Sequence, residues 1–295
     1  GIGWMRAVDA FGVPAAIGQI VLGAVTLLYL YGLGNYLAKV GRRPAVVVED
    51  LRVLPGRAGL AAMTMAGMLM AAALASHSEA LARTVLVLAM AGHGLVLVLV
   101  TRGFLVGPAE ARRVTPVFHL VYVGLIVAPL AAVPLGWMEL SVWIFRLAAV
   151  AAVLIWLASL LQFAREDVPA PLRPLLAIHL APAALLGTVA MLLGMPAVAL
   201  GFGGLAIVLM ALMVARLPWM LAAGFSPLWG AFTFPLAAFS SLMMMLAGAG
   251  YGGAFLALGG IGLAFATVFI PWVMVKVAQM WLKGQLAVKT NAAVA

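Results

Sequence analysis

The chain alternates between long apolar stretches and short joins that hold most of its polar side chains. A helix needs about 20 apolar residues to cross a bilayer. Nine stretches fit, approximately 13–38, 58–76, 80–105, 116–135, 138–163, 173–194, 196–216, 225–248 and 254–281. The joins alternate in character as well. Those at His77–Glu79, Gly136–Met138, Gly194–Pro196 and Gly248–Gly253 are short and nearly uncharged, whereas Lys39–Arg57, Arg102–Arg113 and Arg165–Arg173 are longer and basic. The stretches therefore pair into hairpins, 58–105, 116–163, 173–216 and 225–281, and leave 13–38 without a partner. The first members carry the breakers Pro129 and Pro134, then Pro182, then Pro235; the second members are mostly uninterrupted apart from Pro271. A proline removes a backbone donor and crowds the carbonyl four residues back. In hydrocarbon such a break is tolerated where protein or a watery cavity receives it. The pattern predicts an all-α polytopic membrane protein, with broken helices facing an interior and straighter ones facing lipid.

The stretch from Trp229 to Ser240 concentrates these signals. Pro235 interrupts the 225–248 run beside Phe232 and Phe234, and Thr233, Ser240 and Ser241 are the polar side chains nearby. That combination reads as a constriction in a path through a membrane.

Composition fixes the class. The chain is 66% hydrophobic and 8% charged, with mean hydropathy +1.21, whereas a soluble domain carries roughly a quarter charged residues. A net charge of +9 does not imply nucleic acid, because the basic residues lie between apolar runs. All of the 17 Lys and Arg residues except Arg6, Arg83 and Arg146 fall on one side of the alternating topology. The bias of basic residues makes that side cytoplasmic, so the C-terminal tail, 282–295, is expected inside a plasma (cell inner) membrane. Gly1 is then expected outside, with 1–12 as the remnant of a preceding helix and its outer loop. The absence of cysteine removes thiolate metal sites and cysteine nucleophiles.

Candidate chemistry is sparse. The acids Asp9, Glu49, Asp50, Glu79, Glu110, Glu139, Glu166 and Asp167 lie in joins or at helix ends. No mid-membrane carboxylate is left for a proton relay, and no His-Glu-x-x-His motif is present for zinc. His93, His119 and His179 lie in three apolar runs and could ligate a haem, or serve as neutral side chains packed between helices. The run Met243-Met244-Met245 reads as soft packing rather than a copper site. The glycine-rich patches Gly201–Gly204 and Gly259–Gly260 read as close helix packing. Arg83 and Arg146, on the outer side, are candidates for attracting anions. No metal or cofactor is expected.

Several segments, in order, resemble the tellurite-resistance/dicarboxylate transporter family, which holds the bacterial TehA-type channels and the slow anion channels of plant guard cells. Arg216-Leu-Pro-Trp219 followed by Trp229-Gly-Ala-Phe-Thr-Phe234 is similar to the family's entry into its ninth helix, and His179-Leu-Ala-Pro-Ala183 to the start of its seventh. Leu282-Lys-Gly-Gln-Leu286 matches the end of the tenth, and Gly1-Ile-Gly-Trp-Met-Arg6 the tail of the first. The resemblance implies a ten-helix fold of five hairpins around a central pore, nine of the helices being present here, and a homotrimer. Phe234 matches the phenylalanine that plugs the family's pore. The lining would come from 58–76, 116–135, 173–194 and 225–248, bent at Pro129, Pro182 and Pro235. A proline of the family's third helix is replaced by Thr64, which leaves Gly67 to bend that helix. Thr64, Thr188, Thr233 and Ser240 would be the polar side chains along the path. The implied function is passage of small inorganic anions such as chloride and nitrate; the alternatives are a secondary exporter of tellurite, dicarboxylate or another oxyanion, and a haem-binding membrane protein. The asparagines of some relatives' fifth helix are apolar here, around Gly124–Val127, and the glutamate of their sixth is absent around Ala158–Ser159.

Overall fold

The computed structural model describes residues 1–107 and 113–290. Glu110, Arg112 and the end of the C-terminal tail lie outside the described residues. Among the described residues all regular structure is helical. The helices are α1 (Ile2–Phe11), α2 (Ala15–Arg42), α3 (Val46–Arg52), α4 (Leu54–Leu74), α5 (Glu79–Val106), α6 (Pro129–Ala132), α7 (Met138–Phe163), α8 (Leu180–Leu192), α9 (Pro196–Ala215), α10 (Leu217–Met220), α11 (Thr233–Leu246), α12 (Gly253–Leu282) and α13 (Gln285–Thr290). Tighter or wider helical turns precede three of them. A π segment, His119–Val123, and a 3₁₀ segment, Gly124–Val127, lead into α6; 3₁₀ segments Ala170–His179 and Pro227–Phe232 lead into α8 and α11.

Among the described residues, eight helical spans are long and apolar enough to cross a membrane, and a further apolar segment, His119–Ala132, is shorter and broken. The first twelve residues hold a helix, α1, which ends at Gly12 in the left-handed conformation (φ 67°). The basic join after α2 is also ordered. It folds as α3, whose last carbonyls are met by Arg57: its Nε donates to Leu51 O at 2.6 Å. A basic side chain at a helix C-terminus satisfies carbonyls that have no partner inside the helix.

Hairpin members differ in burial. In the most apolar part of each span, 78% of the 170–192 span is buried against 17% of α9. The same comparison gives 56% for 227–251 against 22% for α12, and 39% for α4 against 28% for α5. A helix apolar on all sides belongs in an interior, and α8 has every residue from Leu180 to Ala190 buried. Its chain turns at Gly194 (φ 71°), with Met195 N–H donating to Ala190 O at 2.8 Å. The turn after α6 repeats this arrangement, with Gly136 at φ 83° and Trp137 N–H donating to Ala132 O at 2.8 Å. This is the C-terminal motif in which a left-handed residue lets a 6→1 bond close the helix. It explains how these turns between helices are kept short.

The chain forms two compact units, one of residues 1–24 and 160–276, the other of 25–159 and 277–295. In the first, α8, α9 and α11 pack tightly. A Cβ at Gly187 would fall 2.6 Å from Leu242 Cδ2, one at Gly203 2.5 Å from Leu246 Cδ1, and one at Gly259 2.7 Å from Met244 Cγ. Met243 and Met244 are buried, so the methionine run fills helix contacts, as soft, unbranched side chains do. In the second unit α4 packs on α5 and the 119–132 segment, around Leu60, Ala61, Val96, Val100 and Val121.

Candidate functional site

Each of the three prolines begins an α segment. Pro129 is the first residue of α6, and Pro182 and Pro235 are the third residues of α8 and α11. The first N–H groups of a helix have no partner within it, so a proline there forgoes no ladder bond. The break lies just upstream, where the helix changes type. Leu125 O, four residues before Pro129, receives Ala128 N–H at 2.9 Å instead. Gly67 differs. Helix α4 runs unbroken through it, and a Cβ there would lie 3.0 Å from both Ala89 Cβ and the Tyr29 hydroxyl. At Gly67 the observed feature is this close approach of neighbouring side chains.

The segment before α11 is held by rings. Phe232 is 5% exposed, and its ring centroid is 6.3 Å from those of Trp229 and Phe269. Trp229 in turn meets Phe225 and Trp272. The 3₁₀ segment before α8 is fastened by Arg173: its guanidinium lies 4.2 Å from the Trp219 ring centroid, Nε donates to Val168 O at 2.9 Å and Nη1 to Trp219 O at 3.3 Å. Stacking on an aromatic face while donating in plane is a use of arginine that lysine cannot copy. The sequence offered little sign of this clamp beyond an arginine and a tryptophan at the ends of separate joins. Phe234 is half-buried and outside the ring cluster. Two residues on a helix turn the side chain by about 200°, so Phe234 leaves the cluster that Phe232 enters.

The four candidate hydroxyls share one property: each has a backbone carbonyl of its own unit in donating range. Thr188 Oγ1 donates to Ala184 O at 2.8 Å, Thr233 Oγ1 to Gly230 O at 2.7 Å, and Ser240 Oγ to Gly259 O at 2.6 Å. Ser240 is fully buried, and a Cβ at Gly262 would lie 3.2 Å from its Cβ. It lies at the contact between α11 and α12. Thr64 Oγ1 lies 2.8 Å from Ala61 O, 3.3 Å from Leu60 O and 2.7 Å from His93 Nδ1.

His93 is fully buried, with Nε2 3.0 Å from Val121 O. A carbonyl only accepts, so the proton sits on Nε2, and in the neutral ring Nδ1 accepts from Thr64. Both nitrogens are thus engaged, and none is left for iron. His119 packs on Trp156 at 5.6 Å between ring centroids, and His179 on Phe163 at 6.3 Å. No group of three His, Cys, Asp or Glu among the described residues could hold a metal ion. Elsewhere, Asp50, 5% exposed, receives Lys39 Nζ at 3.1 Å and the Tyr36 hydroxyl at 3.2 Å. On the expected outer side, Arg83 is paired with Glu79 at 2.5 Å, and Arg146 lies over the Trp143 ring at 5.3 Å.

The long apolar helices, with more and less buried members in each hairpin, define a polytopic helical membrane protein. Residues 2–279 match the family described as voltage-dependent anion channel. The chain belongs to that family, whose members are anion channels and transporters. A comparison with curated proteins finds no match.

Proposed function

We propose that this protein conducts small inorganic anions passively, with Phe234 as its gate, and catalyses no reaction. Beyond family membership, the observation that carries the gate is the contrast between the two phenylalanines. Phe232 is fixed among aromatic rings, while Phe234, on the first turn of α11, is half-buried outside them. The uncharged spans 58–76, 119–132, α8 and α11 suit weak, fast passage better than tight binding. The resemblance adds a homotrimer in the plasma membrane, with the C-terminus cytoplasmic, and chloride and nitrate as the anions.

Phe234→Ala tests the reading. Anion flux into proteoliposomes, followed by a chloride- or nitrate-sensitive probe, is expected to rise severalfold over the unsubstituted protein and to grow linearly with anion concentration. Flux that stays at background, or that saturates and follows a proton gradient, overturns the channel in favour of a coupled exporter.

A further inference from the structure

The broken segment 119–132 owes its shape to an imbalance that something must hold. A π turn accommodates one residue more than an α turn, and each residue added or removed rotates everything after it by about 100° around the helix. The π turn His119–Val123 and the 3₁₀ turn Gly124–Val127 that follows it therefore determine which face of the segment is turned in each direction. Nothing in the local sequence pins the extra residue to this position. Val121 O, in the middle of the π turn, is bonded by a side chain from another helix, His93 Nε2 on α5, at 3.0 Å. The same ring reaches Thr64 Oγ1 on α4 through Nδ1 at 2.7 Å. Its seat is cut by Gly124, where a Cβ would fall 2.6 Å from His93 Cε1, 2.9 Å from Nε2 and 3.0 Å from Met65 Sδ.

We propose that His93 is a positioning residue for conduction: its Nε2–H anchors the π turn of 119–132, and its Nδ1 ties that anchor to Thr64. One imbedded imidazole, borne by the less buried member of the hairpin, thereby sets the rotational register of one proposed lining segment against another. The proposal rests on the channel reading for its consequence, but not for its geometry. Without the anchor the extra residue is free to migrate along 119–132, and the presented face rotates with it.

The two nitrogens can be separated by substitution. Glutamine carries an amide near the Nε2 position, so H93Q keeps a donor for Val121 O; asparagine reaches only the Nδ1 position, so H93N keeps the Thr64 contact alone; H93L keeps neither. The chain has no cysteine, so single cysteines placed through 120–132 can be scanned with a membrane-permeant thiol reagent in each background. The reactivity pattern is expected to match the unsubstituted protein in H93Q and to shift by one position in H93N and H93L. Anion flux in folded, monodisperse protein is expected to persist in H93Q and to fall roughly tenfold in H93L, the size of one buried hydrogen bond lost. If H93L does not fold, G124A displaces the ring without removing it and is expected to give the same shifted pattern. An identical cysteine pattern in all backgrounds overturns the anchor. A shifted pattern with unchanged flux overturns its role in conduction. A protein with no anion flux in any form, but with the shift, overturns the channel reading and leaves the anchor standing.

Discussion

A hydroxyl inside an apolar helix has a single proton, and the backbone carbonyl three or four residues back is the nearest place for it. Thr188 and Thr233 follow that rule, and Ser240 donates instead across to α12. An anion passing these side chains would meet oxygen lone pairs rather than a free O–H donor, so they do not explain a preference for anions. Thr188→Val, which keeps the shape and removes the hydroxyl, is accordingly expected to leave anion flux unchanged; a marked loss measured in proteoliposomes would show that Thr188 donates to the ion. Gly124 has the opposite character, carrying no chemistry and much geometry. Gly124→Ala drives a methyl into the His93 ring, and overpacking of this kind typically costs about 1–3 kcal/mol. A lowered thermal transition of the purified protein in detergent checks it. Asp50 is a third case, since removing it leaves the Lys39 ammonium and the Tyr36 hydroxyl without their shared acceptor. Lys39 keeps some access to solvent (24% exposed), so Asp50→Ala is expected to cost about 1–3 kcal/mol, as loss of a buried hydrogen-bond acceptor does. The same melt measures it.

At the scale of elements, the prolines act as starts rather than as interruptions. Pro182 and Pro235 occupy the third position of an α segment that follows a 3₁₀ segment, where the missing N–H costs nothing. Pro235→Ala is therefore expected to change stability by less than about 1 kcal/mol, against the roughly 3 kcal/mol typical of a proline in a helix interior. A large drop in the thermal transition would show instead that the ring itself holds the break. The apolar runs and their breakers were legible because span length and proline chemistry are local properties. The change of helix type upstream of each proline was not, because it depends on which distant groups receive the displaced carbonyls. Val121 O finds its donor on α5, and Arg173 within the 3₁₀ segment before α8 finds the ring and carbonyl of Trp219; no window of sequence contains both partners of either pair. Gly67 is a similar case: a glycine in an apolar helix can serve a bend or a close neighbour, and only the folded chain shows that Ala89 and Tyr29 come close to it.

For the whole molecule, membership of the voltage-dependent anion channel family over residues 2–279 and the distribution of basic residues bear on different questions, what passes and which way the chain faces. The bias of Lys and Arg predicts the 165–173 join on the cytoplasmic side and the His77–Glu79 turn outside. In intact cells, Asp167→Cys is expected to resist a membrane-impermeant thiol reagent and His77→Cys to react with it, the chain having no cysteine to interfere. The opposite labelling would invert the topology.

The sequence by itself determined that this is a membrane protein of helical hairpins, because the length of an apolar run, the fixed φ of proline and the sign of flanking charges act within a few residues of where they are written. Helix geometry adds that Phe232 and Phe234, two residues apart, face different ways; the choice of Phe234 as the expected gate came from the family resemblance. The tertiary structure decided what those residues touch. It placed Ser240 between helices, filled both nitrogens of His93, brought Ala89 and Tyr29 close to Gly67 and made Gly124 the seat of an imidazole. Each of these depends on a donor, an acceptor or a volume supplied by a residue distant in the chain, and pairing at that range exists only once the helices have packed.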